Sequence, residues 1–327
     1  MKQNIRWGVI GLGNIAHKFV KDLQLVEGAN LTAVASRSIE KAKEFASIYN
    51  AKKAYGGYQE LYESEEVDVI YIATPHSFHA NIAIEAMKNG KHILCEKPLG
   101  VNSIEVHKMI ATAQKHKVFL MEALWTRFNP SIVKIKELIA QNVIGDIKYI
   151  HADFAFQALD RSEDGRLLNP NLAGGSLLDI GIYPIFLSYL LLGKPNEIQA
   201  FSKMYKTGIE VQTSMIFDFE SAQATLYSGL NSKSDMKATI SGTKGSIFIQ
   251  PRWHETQGFS VEIDSELMEY DLSTTGMGFY YEILEVQNCI SRNKIESELW
   301  SHQNSKDLIG LIDSVRAKTG VVFPFEN

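Results

Sequence analysis

One short segment near the N-terminus constrains the fold of this chain more than any other. A G-x-G-x-x-A sequence at residues 11–16 follows an apolar strand pattern at residues 6–10 and begins a helix pattern at residues 14–26. The pattern alone is common, but between a strand and a helix it is typical of a turn that binds a dinucleotide. A glycine turn without a ligand is the alternative, and the strand–turn–helix context disfavours it.

The residues of this segment have separate tasks. Gly11 permits a tight turn, Gly13 lets a pyrophosphate approach the main chain, and Ala16 permits close packing of the helix. The first helical N–H groups, at Asn14 and Ile15, carry a partial positive charge that attracts phosphate. We therefore expect this segment to bind the pyrophosphate of a nicotinamide dinucleotide.

The rest of the chain predicts two domains. Strand and helix patterns alternate through the first third, which predicts a parallel sheet covered by helices on both faces. Strand patterns dominate residues 194–271. We expect an α/β chain with a Rossmann, doubly wound parallel sheet at residues 1–123. An α+β domain with a large, mostly antiparallel sheet should follow at residues 124–327.

Composition and charge narrow the function classes. The 327 residues are 45% hydrophobic with a net charge of −5, and no stretch forms a concentrated basic face, so a nucleic-acid binder is not expected. The longest apolar run, residues 180–192, is interrupted and shorter than a membrane span. No signal peptide is expected, and Cys95 and Cys289 lack the spacing of a disulfide framework or a metal site. We expect a cytoplasmic protein that binds a small molecule, without membrane or nucleic-acid partners.

The end of the second predicted strand bears on the choice of cofactor. Sites for NAD usually place Asp or Glu there to bind the ribose hydroxyls, whereas this chain has Ser36 and Arg37. A serine can donate to a 2′-phosphate, and a guanidinium can pair with that phosphate and stack on adenine. NADP(H) is therefore favoured and NAD(H) is possible. The alternative is that Arg37 is a solvated charge at a helix start.

Two further segments have the character of a catalytic site. Glu96 and Lys97 come at the end of a parallel strand, the edge at which ligands bind in open α/β sheets. Asp179 and Tyr183 are four residues apart, so on a helix they share one face of an otherwise apolar segment. Taken singly, Lys97 could be a surface charge and Tyr183 a core tyrosine; together they indicate a proton-transfer site.

At this point the chain resembles a known family, the Gfo/Idh/MocA oxidoreductases. The resemblance rests on the glycine segment and on residues 73–76, 95–98 and 174–183. Within the family the chain looks closest to the dimeric dihydrodiol dehydrogenase branch. Tyr183 departs from the histidine of many members but agrees with that branch. The closer match is carried by residues 120–128, 179–183, 241–245 and 320–324.

The resemblance implies roles for particular residues. It implies that Lys97 and Tyr183 act at the reacting carbon with Asp179 beside them, and that the open sheet of the second domain often forms a dimer contact, which suggests a homodimer. The residues that it implies on the nicotinamide side of the cofactor are Thr74, Pro75, His76 and Glu96.

The expected chemistry is hydride transfer coupled to proton transfer. Free tyrosine has a pKa of about 10, and an ammonium such as Lys97 lowers it by favouring the phenolate. Tyr183 could then act as general acid or base, with Lys97 and Asp179 assisting, on a sugar, polyol, cyclic diol or dicarbonyl. The alternatives are a glycosidase that uses bound NAD for transient oxidation and a non-catalytic nucleotide sensor.

Several aromatic and histidine residues complete the expectations. His76 and His79 have H-x-x-H spacing but lack a convincing third metal ligand, so no metal is expected and both are assigned to the cofactor side. Substrate contacts are expected from aromatic and basic residues, with packing between domains as the alternative for the first three: Trp125, Arg127, Phe128 and Phe154.

Overall fold

A parallel sheet forms the centre of the first part of the chain. In the computed structural model, which describes residues 4–326, its strands are β1 (Ile5–Ile10), β2 (Ala29–Ala35), β3 (Lys53–Tyr55), β4 (Val69–Ile72), β5 (His92–Glu96) and β6 (Leu120–Ala123). Their order is β3-β2-β1-β4-β5-β6, and all the pairings are parallel. This is the strand order of a doubly wound dinucleotide-binding sheet. The fold predicted for the first part of the chain is therefore confirmed.

A mixed sheet forms the centre of the second part. Its strands are β7 (Ile147–Ala155), β8 (Glu197–Met204), β9 (Glu210–Asp218), β10 (Gln223–Gly229), β11 (Ala238–Gly242), β12 (Gly245–Ile249), β13 (Gly258–Ile263) and β14 (Glu266–Asp271). Their order within the described residues is β14-β13-β12-β11-β7-β10-β9-β8. The β7–β10 pair is parallel and the other pairs are antiparallel, as the strand patterns predict.

Helices cover both sheets, and some of them begin at residues that cap them. Ser38 accepts the Lys41 amide at the start of the second helix, and Asn102 accepts the Glu105 amide at the start of the fifth, as favourable N-caps do. The helices are α1 (Asn14–Leu23), α2 (Ile39–Tyr49), α3 (Gln59–Glu63), α4 (His79–Lys88), α5 (Ser103–His116), α6 (Pro130–Ala140), α7 (Ile182–Leu192), α8 (Tyr280–Ser291) and α9 (His302–Thr319).

Contacts divide the chain into two units. The first comprises the described residues up to Trp125 together with Thr275–Lys306, and the second comprises Thr126–Thr274 and the described residues from Asp307 onward. This division differs from a single break between residues 123 and 124, because the chain returns to the first unit before it ends.

A buried carboxylate explains that return. Asp22, in α1, accepts the main-chain N–H groups of Met277 and Phe279 at 2.9 Å and that of Tyr280 at 3.2 Å. These amides lie at the N-terminal end of α8, where negative charge is favourable. Asp22 therefore fixes the start of α8 against α1 within the first unit.

The segment before α7 is not one regular α-helix. A single helix is predicted from residue 175, whereas the structure has a π-helical turn at Leu177–Gly181 followed by α7. A Cβ on Gly181 would lie 2.9 Å from the Ser228 hydroxyl of β10, so a glycine lets this turn approach the sheet. Within residues 4–326, Pro170–Leu192 is long enough for a membrane span and contains an 18-residue window with a mean hydropathy of 1.6, but 78% of that window is buried, as in a core helix.

Candidate functional site

The glycine turn of the first unit has the geometry of a phosphate cradle. Gly11 has φ = +88°, and a Cβ there would lie 2.5 Å from the Ala73 carbonyl carbon, so the turn requires glycine. At Gly13 a Cβ would meet nothing within 4 Å, which leaves open space beside the main chain. Gly13 also caps α1 without a side chain, and the first turn, which contains Asn14 and Ile15, has no acidic residue. An open, electropositive helix start fits a pyrophosphate.

The end of β2 presents an arginine supported by an aromatic ring. The Arg37 guanidinium carbon lies 5.8 Å from the ring centroid of Phe78, which is exposed. The charge of Arg37 also acts on Tyr58. Burial raises the pKa of the Tyr58 phenol, and the positive charge of Arg37 opposes this rise. The Ser36 hydroxyl accepts the Ser38 amide at 3.3 Å. A guanidinium held by an aromatic face beside a hydroxyl fits the phosphate and adenine of NADP.

Four of the predicted cofactor residues follow β4: Thr74, Pro75 and His76 lie in the loop, and His79 begins α4. The buried Thr74 hydroxyl has no hydrogen-bond partner within residues 4–326, so this polar atom is available to a ligand. His76 is buried. The ring nitrogens of His79 lie 2.8 Å from the main-chain oxygens of Thr74 and Pro98, and burial lowers its pKa while these carbonyls oppose the shift. His79 therefore joins the loops that follow β4 and β5.

The end of β5 is fixed by buried carboxyl groups. Glu96 accepts the Tyr71 hydroxyl and, at 3.3 Å, the Lys97 amide. Burial, with the charge of Glu96, holds the pKa of Tyr71 well above its usual range, so Tyr71 stays a neutral donor. The Lys97–Pro98 peptide is cis. Lys97 itself is half-buried at the edge where the parallel strands end.

Glu122 supports the same loop from β6. Its carboxyl group accepts the Leu99 amide at 2.9 Å, the Trp300 indole N–H at 3.1 Å and the Ser305 hydroxyl at 2.7 Å. Burial raises its pKa. Glu122 thus connects the segment that carries Lys97 to residues beyond α8. No spacing in the sequence indicates this role.

In the second unit, Asp179 lies in the π-helical turn and is paired with an arginine. Its carboxylate accepts a hydrogen bond from Arg166 at 2.8 Å; the Asp179 side chain is 8% exposed and that of Arg166 is 52% exposed. The start of the turn is held by buried Glu210, which accepts the Leu177 amide. Burial raises the pKa of Glu210 to about 7. A Cβ on Gly175 would collide with the Glu210 carboxylate, which explains a glycine there.

Tyr183 lies in the first turn of α7 and is buried beside two rings. Its ring centroid is 5.6 Å from that of Phe154 and 5.1 Å from that of His254. The rings of Phe154 and His254 stack on each other at 4.2 Å. The structure therefore brings two predicted residues, Phe154 and Tyr183, together with a histidine that sequence reasoning missed.

The residues after β6 belong to different units. Trp125, in the first unit, stacks on Phe279 with ring centroids 4.9 Å apart, and Gly278 (φ = +99°) permits the close approach. Trp125 therefore packs against residues beside α8 in its own unit. Arg127 and Phe128 are buried in the second unit.

Histidine and carboxylate positions bear on metal binding. The rings of His76 and His79 are 5.8 Å apart, edge to face. Within residues 4–326 no group of three or more His, Cys, Asp or Glu side chains could hold a metal ion.

The predicted site residues are divided between the two units. All the predicted cofactor-binding residues lie in the first unit, and Asp179, Tyr183 and Phe154 lie in the second. Sequence reasoning missed residues whose partners are distant in sequence. Single charged or aromatic residues outside a recognised motif gave no signal in the sequence, and five were missed in this way: Phe78, Glu122, Arg166, Glu210 and His254.

Profiles of known protein families match both parts of the chain. The profile of an oxidoreductase family with an NAD-binding Rossmann fold matches residues 5–124, and that of the GFO/IDH/MocA C-terminal domain matches residues 132–248. Trans-1,2-dihydrobenzene-1,2-diol dehydrogenase from Xenopus tropicalis is 35% identical, over 98% of this chain and 99% of the relative. The enzyme of that name from Homo sapiens is 32% identical, over 98% of both chains.

Solved structures share the fold at lower identity. KijD10, a 3-ketoreductase from Actinomadura kijaniata in complex with NADP and TDP-benzene, has a TM-score of 0.88 and 24% identity, over 97% of this chain and 98% of that one. Aldose-aldose oxidoreductase from Caulobacter crescentus has a TM-score of 0.89 and 22% identity, with the same coverage. Together with the family profiles and the dehydrogenase relatives, this fold shows that the chain belongs to the Gfo/Idh/MocA family of NAD(P)-dependent oxidoreductases.

Proposed function

We propose that this protein is an NADP(H)-dependent oxidoreductase that transfers a hydride between nicotinamide and a sugar, polyol, cyclic diol or dicarbonyl. The observation that carries the proposal is a buried phenol and a buried carboxylate, Tyr183 and Asp179, four residues apart in a chain with an open glycine turn. The names of the relatives support a diol or a carbonyl compound as the substrate.

The first unit binds the cofactor in this proposal. The glycine turn and the start of α1 receive the pyrophosphate, and Ser36 and Arg37 receive the 2′-phosphate, which favours NADP(H) over NAD(H). The loop after β4, with its buried Thr74 hydroxyl and His76, borders the nicotinamide together with Glu96. His79 holds that loop in place. The bound nicotinamide supplies the hydride chemistry.

The second unit carries the residue that transfers the proton in this proposal. Tyr183 donates a proton to the carbonyl oxygen in reduction and removes the hydroxyl proton in oxidation. Lys97 assists by favouring the phenolate, and Asp179, oriented by Arg166, binds the reacting hydroxyl. Phe154, Arg127 and Phe128 form a wall for the substrate.

Two other features support proposals about assembly and location. Phe201, Ile216 and Tyr149 lie on one face of the mixed sheet, and Phe201 is 78% exposed. Exposed apolar groups on one face are typical of an interface, so we expect a homodimer through this sheet. Light scattering should give a mass of two chains for the wild-type protein and a mass of one chain for the Phe201→Asp variant. The free Cys95 and Cys289 agree with a reducing cytoplasm.

A turnover assay with NADPH and NADH tests the function. Purified protein is mixed with D-glucose, 2,3-butanedione or other aldoses and dicarbonyls, and absorbance is followed at 340 nm. We expect oxidation of NADPH that Tyr183→Phe reduces by about 100-fold or more. Tyr189→Phe is the matched control, because Tyr189 lies on the same helix and contacts Asp307.

Other outcomes would contradict the proposal. Cleavage of glycosides without net consumption of cofactor would indicate the transient-oxidation glycosidase instead. Cofactor binding with neither activity would indicate a nucleotide sensor. Wild-type turnover in Tyr183→Phe would remove the acid–base role of the phenol.

A further inference from the structure

His254 is in contact with the phenol to which the proposed function gives proton transfer. Its ring stacks on Phe154 at an interplanar angle of 24° and lies 5.1 Å from the Tyr183 ring, tilted by 49°. The residue is 5% exposed. The three rings therefore form one buried cluster within the second unit.

The main chain around His254 is held from several sides. The Thr126 hydroxyl donates to the His254 carbonyl at 2.7 Å. The indole N–H of Trp253 donates to the Asp153 carbonyl of β7 at 2.9 Å. These bonds fix the short 3₁₀ turn at Trp253–Glu255. A side chain mounted on such a frame keeps one orientation, as positioning a reactive group requires.

A second hydrogen bond and a carboxylate extend this frame. The Asn129 side-chain amide donates to the Thr256 carbonyl at 2.9 Å, just beyond the turn. The Asp153 carboxylate accepts the amides of Met236 at 3.0 Å and Lys237 at 3.2 Å, which holds the loop before β11. Buried polar groups therefore hold both the short turn and the neighbouring loop in place.

The two rings beside Tyr183 differ in chemistry. Phe154 can only pack, whereas an imidazole can also donate or accept a hydrogen bond. A phenol that serves as acid and base must keep its hydroxyl aimed at one point, and a misplacement of about 1 Å can reduce a rate by about 100-fold. A fixed imidazole beside the phenol can supply that constraint through its hydrogen-bonding nitrogens, which a phenylalanine ring lacks.

We propose that His254 is a positioning residue for Tyr183: its imidazole, backed by Phe154, holds the phenol in the orientation used for proton transfer. The inference rests on the proposed role of Tyr183. His254 acts through the phenol and does not itself contact the reacting atoms.

A double-mutant cycle tests the proposal. The turnover of NADP⁺ with trans-1,2-dihydrobenzene-1,2-diol and of NADPH with 2,3-butanedione is measured for wild type, His254→Phe, Tyr183→Phe and the double variant. His254→Phe keeps a ring on Phe154, so its melting temperature should stay near that of wild type. Its kcat should fall by about 10- to 100-fold with an unchanged KM for the cofactor. In the Tyr183→Phe background the same change should have no further effect, and His254→Asn should recover part of the loss.

The outcomes separate this inference from the proposed function. Wild-type kcat in His254→Phe, or an equal loss in both backgrounds, overturns the role of His254 and leaves that of Tyr183 intact. Wild-type kcat in Tyr183→Phe overturns the proposed acid–base role itself.

A second measurement does not depend on turnover. Imidazole ¹H–¹⁵N signals of His254, identified by their loss in His254→Phe, are recorded for the whole protein. They should shift in Tyr183→Phe and stay in place in Tyr189→Phe, the control on the same helix. Unshifted signals in Tyr183→Phe would overturn the inference.

Discussion

The two units carry their candidate site residues in different ways. In the first, the predicted residues follow the parallel strands β1, β2, β4 and β5, whose carboxyl ends lie along one edge. In the second, Phe154, Asp179, Tyr183 and His254 come from distant parts of the sequence and meet through packing. Each part of a candidate cofactor site built from strand ends can therefore be recognised in one short segment, whereas the candidate site of the second unit depends on tertiary structure. Variants in one unit should change cofactor binding, and variants in the other should change turnover.

The largest difference between the effect on turnover and the effect on cofactor binding is expected at Asp179. Asp179→Asn keeps the shape of the side chain but removes the charge that faces Arg166. The value of kcat should fall by about 100-fold or more. The Kd for NADPH, measured by fluorescence, should stay at the wild-type value because the dinucleotide features lie in the other unit. Asp218→Asn, on β9, is the control. A large loss of NADPH affinity in Asp179→Asn would break the comparison.

The next effect concerns Arg37. Arg37→Ala removes a charged partner of the 2′-phosphate, so the Kd for NADPH should rise by about 10- to 100-fold. The Kd for NADH, which lacks that phosphate, should change by less than about threefold. Equal losses for both cofactors would contradict a role in recognising the 2′-phosphate.

The two glycines of the turn should separate folding from binding. A Cβ on Gly11 meets the main chain at positive φ, so Gly11→Ala should lower the melting temperature. A Cβ on Gly13 meets nothing within 4 Å, so Gly13→Ala should melt near the wild-type temperature. Gly13→Ala should nevertheless weaken the binding of NADPH by about tenfold, which corresponds to about 1.4 kcal/mol of binding free energy. Wild-type affinity in Gly13→Ala would contradict a pyrophosphate at this turn.

The last effect is of a different kind and concerns the pH dependence of stability in the second unit. The pKa of Glu210 is raised by burial from 4.5 to about 7 in the folded protein. The folded state therefore binds this proton more tightly, and its contribution to stability is complete below pH 4.5 and lost as the pH rises through about 7. The loss is on the order of 3 kcal/mol. Glu210→Gln should remove this part of the pH dependence.

Denaturant melts from pH 4.5 to pH 8 measure this difference. The free energy of unfolding of wild type minus that of Glu210→Gln should decrease across the range. Parallel curves would show that Glu210 does not keep its proton in the folded state.

The sequence was sufficient for the fold and for locating the glycine turn. The parallel sheet and the mostly antiparallel sheet follow from strand patterns and are confirmed. The glycine turn is readable because its residues are contiguous and glycine is required by geometry at Gly11. The roles proposed for Lys97, Asp179 and Tyr183 remain predictions.

What could not be predicted has a common physical cause. Glu210 lies in a strand, and only the folded structure places it at the amide of Leu177. His254 and Phe154 are a hundred residues apart in sequence, so no spacing indicates that they stack. The first part of the helix predicted from residue 175 is instead a π-helical turn, and Gly181 at its end packs closely on β10, a tertiary contact that the sequence does not indicate.

The hydrogen bonds of Asp22 determine which fragments of this protein can fold as a unit. A fragment that stops after residue 125 would keep the whole parallel sheet but lose α8, whose first amides Asp22 holds. Phe19 and Trp125, which contact Phe279, would then be uncovered. Engineers who want a separate nucleotide-binding module should therefore splice the two pieces of the first unit with a linker and excise the part between them, rather than truncate the gene.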